Sequence, residues 1–491
     1  MELRQAPARI FIITCDRPIL LERLLKSLCN LSWNSHEIEG LWIIDDSRNA
    51  SSVRENASVI SQVTPMLEIP MTHIDQSIKQ NHTKSLNQQL PDQSASIEFL
   101  LNHRFWGSAP TYGLARNWAL LLSQGKRAII LDDDTIAEAI LPLLPVVPTR
   151  FGTANEREAV FYESSVQMEN SLSTERKNPI SLMLNNVGQN LEAILSRVSS
   201  GHRSLTDVNG EMTRFYRGDS RIILGQCGSW GDPGTSSAQW LLYQPISGIR
   251  RLLASENIEA LLHARSHWFG YPGTTLTSYG TLSQMTGLDN TNLLPPYIPA
   301  GRGEDILFGI ILQRMYPSTP VFNEGWGIRH QPIEARNDRT ALKKFRLMPG
   351  LSLLADWLGQ SSALVNNFSP ELSLDMIAEE ISQLANLDAT SRQVLISRQL
   401  LSKQSVLLQR CLDHLSNMTL VQNLPGAEKW TEFLNENRDL LMSELQISNH
   451  NLLEKMLAED GHSLDWLQSL GHQFSQGLKD WPKICDAMTD K

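Results

Sequence analysis

Residues 113–134 read GLARNWALLLSQGKRAIILDDD. Leu114 and Trp118 lie one helical turn apart, and Gly125 suits the left-handed residue that commonly ends a helix. Residues 128–131 form a short apolar run typical of a strand buried on both faces. The stretch therefore predicts a helix, a glycine turn and a buried strand that ends directly in three aspartates.

The N-terminus predicts the same type of unit. Residues 8–14 (ARIFIIT) and 40–45 (GLWIID) are apolar and rich in β-branched residues, which predicts two buried strands. Pro18 begins a leucine-rich stretch with helical spacing, in the first turn where proline is favoured. A strand, a helix and a strand in this order predict a parallel sheet with a right-handed crossover.

The rest of the chain divides by composition. Residues 47–95 are polar, and we expect a helix there and a short strand near 71–74. We interpret the polar residues 151–215 as an insertion or a mobile segment, with a helical stretch from Leu182 to Val198. From residue 346 onwards apolar residues recur at helical spacing, for example at Ile377, Ile381 and Leu384, which predicts a helical C-terminal region.

Charge and composition exclude several classes of protein. The formal net charge of -10 argues against a general nucleic-acid surface, which needs clustered Lys and Arg. The five cysteines are scattered and form no CxxC pair, so neither a disulfide framework nor a zinc knuckle is expected. No apolar run reaches about 18 residues and no signal peptide is evident, so we predict a cytoplasmic protein without a transmembrane segment, which leaves room for peripheral membrane contact.

The aspartates at 132, 133 and 134 are the strongest local signal. Adjacent carboxylates repel one another and need a compensating positive charge. They follow a buried strand, and ligands of open α/β sheets bind at the carboxyl ends of strands. Hard divalent cations prefer oxygen ligands and are commonly shared with phosphate groups. The alternative is a solvated acidic turn.

Two further acid pairs and one histidine are candidates. Asp45 and Asp46 end the second strand, where a carboxylate could bind a ribose or a base, or simply cap a turn. Glu304 and Asp305 begin a helical pattern, where the helix dipole favours an ionised carboxylate that could act as a general base. His330 is a third metal ligand only if the acid cluster needs one, since a lone histidine is more often structural.

Four of these segments together resemble the nucleotide-diphospho-sugar transferases of the GT-A fold, closest to the family 2 glycosyltransferases. They are IFIITCDRPILLERLLKSL, LWIIDDS, GLARNWALLLSQGKRAIILDDD and GRGEDILFGIIL, and they follow in the expected order. The resemblance implies an α/β fold of the GT-A type, with a Rossmann-like, mostly parallel sheet flanked by helices. It implies a nucleotide-sugar-binding half at 1–150 and an acceptor-binding half with an insertion at 151–345. The C-terminal α-helical domain at 346–491, predicted from its apolar spacing, has no counterpart in the family.

The resemblance also implies roles for single residues. Asp305 would be the general base, with Glu304 beside it, and the metal, Mn²⁺ or Mg²⁺, would be held by Asp134, Asp132 and His330. The residues implied in donor binding are Thr14, Asp16, Arg17, Asp45, Asp46, Arg116, Asn117, Asp132 and Asp133. The reaction would move a sugar, with inversion, from a nucleotide-diphospho-sugar to a saccharide, lipid or protein acceptor that the sequence leaves undefined.

Other interpretations stay open. A nucleotidyltransferase on a similar sheet would usually carry a glycine-rich loop after the first strand, where this chain has CDRP. A non-catalytic scaffold protein would be expected to lose its acid pairs, which are intact here. Trp230, Trp268 and Tyr271 could stack on a sugar or pack in the core. The helical tail could pack as core, form a homodimer, bind a protein acceptor or touch a membrane.

Overall fold

One mixed sheet organises the fold. The computed structural model describes residues 5–141, 148–153, 156–171, 175–197, 203–204, 216–235, 237–280, 284–333, 342, 350–360, 368–446 and 464–489. Within these residues 13 strands join a single sheet. The strands are β1 (Ala8–Thr14), β2 (Ile38–Asp45), β3 (Met71–Ile74), β4 (Lys126–Asp132), β5 (Thr135–Ile140), β6 (Thr149–Phe151), β7 (Glu158–Tyr162), β8 (Arg203–Ser204), β9 (Leu224–Gly231), β10 (Ser266–Gly270), β11 (Thr275–Thr277), β12 (Met285–Asn290) and β13 (Val321–His330).

Helices cover both faces of this sheet and make up the C-terminal region. The first are α1 (Pro18–Leu28), α2 (Ala50–Val63), α3 (Gln76–Gln89), α4 (Ser94–Leu101), α5 (Leu114–Leu122), α6 (Ser165–Ser171), α7 (Pro179–Leu184) and α8 (Leu191–Arg197). They are followed by α9 (Ile246–Leu253), α10 (Ile258–Ala264), α11 (Glu304–Met315), α12 (Gly350–Gln360), α13 (Pro370–Asn386), α14 (Ala389–Ser416), α15 (Ala427–Gln446) and α16 (Leu464–Thr489). The predicted α/β class with a helical C-terminal region is confirmed.

The strand order explains where the acidic residues meet. The main path runs β3-β2-β1-β4-β12-β9-β13-β11-β6-β8, with β5 beside β13 and β10 between β7 and β9. The first four strands of the path are parallel, β12 is antiparallel to both of its neighbours, and β13 is parallel to β9. The carboxyl ends of β1, β2 and β4 therefore form one edge, where Thr14 pairs with Asp45 and Ile13 pairs with Asp132.

Alternation along the strands divides the core into two layers. Phe11 of β1 packs in a cluster with α4, α5 and α11, whereas Ile10 and Ile12 pack on the opposite face against α1. This is the period of two expected when both faces of a sheet are buried.

The C-terminal helix α16 belongs to the first of these layers. Phe474 and Trp481 are fully buried in the cluster that contains Phe11 and Trp118. The indole of Trp481 donates to the carbonyl of Leu294 at 2.8 Å. The helix α16 thus packs in the same core layer as the strand β1.

The helices α14 and α15 build a separate cluster elsewhere. Leu407 and Cys411 of α14 pack with Trp430 and Phe433 of α15 against α9 and α10. The stretch predicted as helical from Leu182 is two short helices, because the turn at Gly188 has a φ of 85° that interrupts them. Val198 lies outside the described residues. Among the described helices, none is long and apolar enough to cross a bilayer.

Candidate functional site

The candidate site lies where β1, β2 and β4 end and α11 begins. The residues of the site are Arg116, Asp132, Asp134, Glu304, Asp305 and His330. Asp132 ends β4, Asp134 lies in the following turn, and Glu304 and Asp305 form the first turn of α11. His330 is the last residue of β13.

Pairing between β13 and β5 brings His330 to the aspartates. His330 is opposite Thr135, the residue that follows Asp134. The backbone N–H of Gln331 donates to the carbonyl of Asp134 at 2.8 Å. As a result, Nε2 of His330 lies 3.3 Å from Oδ1 of Asp134. Burial would lower the pKa of His330, but the charge and hydrogen bond of Asp134 raise it overall.

The three consecutive aspartates have different partners. Asp132 forms an ion pair with Arg116, with 2.8 Å between its Oδ1 and Nη2 of the arginine. Asp133 turns inwards, where its carboxylate accepts from the Thr14 hydroxyl at 2.8 Å and lies 3.2 Å from Arg17. Arg17 also lies 3.6 Å from the carboxylate of Asp134. The positive charge that three adjacent acids require is therefore supplied in large part by two arginines.

Burial makes the carboxylates of Asp132 and Asp133 hard to ionise. It raises the pKa of Asp133 to about 7, even though Arg17 and Thr14 favour the ionised form. It also raises the pKa of Asp132, and the negative charge of Asp134 adds to the effect while Arg116 opposes it. A cation arriving at this edge would relieve the repulsion among them.

Arg116 joins the aspartates to the Glu304–Asp305 pair. Burial would lower its pKa, but the charges of Asp132, Glu304 and Asp305 raise it above the usual arginine range. The pKa of the neighbouring Tyr297 is also raised, by burial and by the charges of the same three acids. These carboxylates therefore lie near the same guanidinium and the same phenol.

A tight backbone contact sets this geometry. The N–H of Gly113, just before α5, donates to the carbonyl of Pro299 at 3.0 Å. A Cβ at Gly113 would lie 2.1 Å from the carbonyl oxygen of Ile298, so only glycine fits. The contact brings the segment that leads into α11 against the start of α5, the helix that carries Arg116.

Glu304 and Asp305 differ in environment. Glu304 is buried, and burial together with the charge of Asp305 raises its pKa to about 7. Asp305 is less buried, and its carboxylate accepts from the N–H of Ile306 at 2.9 Å. Of the two, Asp305 is the more accessible to a substrate.

Asp45 and Asp46 are both buried and serve different partners. Asp45 accepts from the N–H of Ser47, the amide of Asn56 and the ring of His73 at 2.9, 3.0 and 3.1 Å. Burial would raise the pKa of Asp45, but these hydrogen bonds lower it overall. Asp46 is ion-paired with Lys79, which is itself buried.

Two of the predicted donor-binding residues support loops. The carboxylate of Asp16 accepts from the backbone N–H groups of Arg48 and Asn49 at 3.2 and 2.9 Å. The amide of Asn117 donates to the carbonyls of Leu100 and Tyr297 at 3.1 and 2.9 Å and accepts from the N–H of Tyr297 at 2.7 Å. These hydrogen bonds therefore position the loops beside the site.

The aromatic candidates pack in the core. Trp230 and Trp268 are fully buried in one small cluster, and Arg176 and Arg329 lie 5.2 and 4.8 Å from the ring centroid of Trp230. Tyr271 is also buried, and its hydroxyl donates to the carbonyl of Thr153 at 3.1 Å. Of the two uses considered for these side chains, the geometry favours packing.

Several residues of the site carried no signal in the sequence. Lys79 stands in a polar helix without a motif, and Tyr297 lies in a proline-rich loop. Asp232 and Arg265, which support His330, belong to no recognisable motif. Their roles depend on contacts between distant strands.

The metal fit rests on Asp134 and His330. Among the described residues, no group of three or more His, Cys, Asp and Glu side chains is arranged to hold a metal. The facing carboxylate and imidazole nevertheless suit a divalent cation that takes its other ligands from phosphate and water, as Mg²⁺ commonly does. Asp134 and His330 therefore suit such an ion when water or a phosphorylated substrate supplies the remaining ligands.

Comparisons with known proteins name no family for this chain. No family model matches it, and no curated protein does. Among solved structures, the crystal structure of S. aureus TarS is similar with a TM-score of 0.33 and 10% sequence identity, over 89% of this chain and 55% of that chain. The chain thus spans about half the length of that structure.

Proposed function

We propose that this protein is a metal-dependent glycosyltransferase that moves a sugar from a nucleotide-diphospho-sugar to an acceptor hydroxyl. One observation carries the proposal: the backbone contact at Gly113 brings the segment leading into Glu304 and Asp305 against the helix of Arg116, which pairs with Asp132. In the same site, Nε2 of His330 faces Asp134 at 3.3 Å. Acids that converge at the carboxyl edge of a sheet favour a phosphorylated ligand bound through a cation and arginines.

The residues suit the two ends of such a substrate. Asp134 and His330 would hold Mn²⁺ or Mg²⁺, with Asp132 nearby in its ion pair with Arg116. The cation would supply charge stabilisation to the leaving diphosphate when bound. Arg17 and Arg116 add fixed positive charge beside the aspartates. Asp45, Asp46 and Thr14 line the neighbouring strand ends, where the nucleoside would lie.

Asp305 is the proposed general base. It would accept the proton of the acceptor hydroxyl as the acceptor oxygen bonds to the anomeric carbon and the bond from that carbon to the diphosphate oxygen breaks. The product would be inverted at the anomeric carbon. Glu304, whose pKa is raised to about 7, would be partly protonated at neutral pH. The pair would then carry less than two full negative charges.

The competing functions predict different outcomes. A nucleotidyltransferase would use a nucleoside triphosphate and release pyrophosphate. A scaffold protein would bind neither donor nor metal. The intact Arg116 ion pair and the facing of His330 and Asp134 favour an active site over a scaffold.

A thermal-shift screen of nucleotide sugars with and without Mn²⁺ tests the proposal. Ligands that bind the native state stabilise it, by about 2.7 kcal/mol at a hundredfold excess over Kd. This added stability raises the apparent melting temperature. We expect a Mn²⁺-dependent shift with one nucleotide class and slow release of free sugar. Asp134→Ala should lose the metal-dependent shift, whereas Asp92→Ala, an exposed site, should keep it. A full shift in Asp134→Ala would contradict the assignment.

A further inference from the structure

The turn after β9 is built around His330. Residues 231–234 read GDPG and follow directly on the strand that pairs with β13. The N–H of Asp232 donates to the carbonyl of His330 at 2.8 Å. In return, the carbonyl of Asp232 lies 2.7 Å from Nδ1 of the His330 ring. The turn thus contacts both the backbone and the side chain of His330.

The second contact selects a tautomer. A carbonyl oxygen can only accept, so Nδ1 must carry the hydrogen in this contact. In the neutral ring Nε2 is then the acceptor, and it is the atom that faces Asp134. This is the tautomer in which the ring can bind a cation through Nε2.

The turn is itself held by a buried ion pair. The carboxylate of Asp232 binds Arg265 through two nitrogens, with 2.5 Å between Nη2 and Oδ1, and it accepts from the N–H of Gly234 at 2.7 Å. Nη2 of Arg265 also donates to the carbonyl of Thr235 at 3.1 Å. Arg265 therefore binds the turn at both Asp232 and Thr235.

Two residues around the turn have left-handed backbone conformations. Gly231 has a φ of 104°, and a Cβ there would lie 2.3 Å from the carbonyl oxygen of His330. Arg265 has a φ of 45°, in the left-handed region that side chains rarely adopt. Such conformations persist where surrounding contacts determine them, and they concentrate at functional sites.

We propose that Asp232 and Arg265 are positioning residues that hold His330 in the Nδ1-protonated form, with Nε2 aimed at the cation shared with Asp134. This inference rests on the proposed function, because it assigns these residues to the same metal site. Neither residue contacts the substrate; both act through the orientation of the imidazole.

Calorimetric titration of the full chain with Mn²⁺ tests this role. Loss of an outer-shell partner typically weakens metal affinity about 10- to 100-fold, and we expect a loss of that order in Arg265→Gln. Arg265→Lys should give a smaller loss, because it keeps the charge but not the two-pronged geometry. Arg329→Gln is the matched control, since Arg329 adjoins His330 on β13 but pairs with Glu138 and Glu169; its Mn²⁺ affinity should stay that of the wild type.

The two proposals fail in different ways. If the wild type binds Mn²⁺ and His330→Ala does not, but Arg265→Gln binds it like the wild type, the positioning role is wrong and the metal site stands. If the wild type binds no Mn²⁺, the metal site falls and this inference with it.

A second measurement does not depend on metal. In metal-free wild-type protein with ¹⁵N-labelled histidine, at about pH 9, above the usual imidazole pKa, the signals lost in His330→Gln identify His330. We expect a protonated Nδ1, whether the ring is neutral or charged. A ring protonated at Nε2 alone would overturn the proposal.

Discussion

Nε2 of His330 lies 3.3 Å from Oδ1 of Asp134, although the two residues come from the end of β13 and the turn after β4. The pairing of β13 with β5 creates this relationship, because β5 begins at the residue after Asp134. The two side chains thereby face each other at the edge of the sheet where the remaining acids converge.

If Asp134 and His330 hold one cation, their contributions should not add. We expect Asp134→Asn and His330→Gln each to lower kcat/KM by about 100-fold or more, and the double variant to lose little beyond the worse single one. The check is a double-mutant cycle on the donor identified by thermal shift. Fully multiplicative losses would show that the two residues act separately.

Asp305 should matter for chemistry more than for donor binding. Removal of a general base typically lowers the rate about 100- to 10,000-fold, and we expect a loss in that range for Asp305→Asn. Donor-induced thermal shifts should remain those of the wild type. Glu304→Gln, the isosteric neighbour, should retain more activity than Asp305→Asn. The reverse ranking would transfer the role of base to Glu304.

Arg116 should contribute to both stability and donor binding. It is buried, and it donates to Asp132 at 2.8 Å and to the carbonyl of Tyr112 at 2.9 Å. Breaking a buried pair costs about 3–5 kcal/mol, less where one partner is partly exposed as Asp132 is. We therefore expect Arg116→Met to lower the free energy of unfolding by about 2–3 kcal/mol in denaturant titration.

Arg116→Lys keeps the charge and provides the control for that experiment. It should recover part of the stability but little of the donor affinity, since the ammonium cannot reproduce the planar fork. Donor affinity equal to the wild type in Arg116→Lys would show that only the charge of Arg116 is needed.

Glu324 should give the fold a pH dependence of its own. It is buried, accepts from Asn186 and Trp326 at 2.8 and 3.0 Å, and burial raises its pKa from 4.5 to about 8. The folded protein thus binds this proton more tightly than the unfolded chain. Its contribution to stability is full below pH 4.5 and is lost as the pH rises towards about 8.

The test compares the wild type with Glu324→Gln, which imitates the protonated acid. The free energy of unfolding, measured in denaturant from pH 5 to about 8, should fall more steeply in the wild type than in the variant. Parallel curves would mean that Glu324 is ionised in the folded protein.

The C-terminal helix should be essential for the α/β core. Trp481 of α16 is fully buried, so Trp481→Ala should destabilise the protein by about 3–5 kcal/mol, as large-to-small core substitutions of tryptophan do. Met442→Ala on α15, where the side chain is 48% exposed, should cost much less. Equal unfolding curves for the two variants would contradict the packing of α16 in the core.

Local patterns predicted much of the secondary structure. The strands at 8–14 and 71–74 and the helices beginning at Pro18 and Glu304 were predicted where the structure has them. Periodicity was less informative in the tail. Ile377 and Ile381 are buried as their spacing predicts, but Leu384 of the same stripe is only partly buried. A stripe shows that a helix has an apolar face. It does not show how much of that face a neighbouring element will bury.

By itself the sequence determined which elements form and that acids follow the strand ends, because those properties depend on neighbours within a few residues. Only the tertiary structure decided that His330 meets Asp134, that Lys79 is buried against Asp46 and that Trp481 seals the first core layer. These contacts join residues far apart in the chain and follow from strand order and helix docking. The free energy of such long-range packing depends on the shape of the whole core, which no local pattern contains.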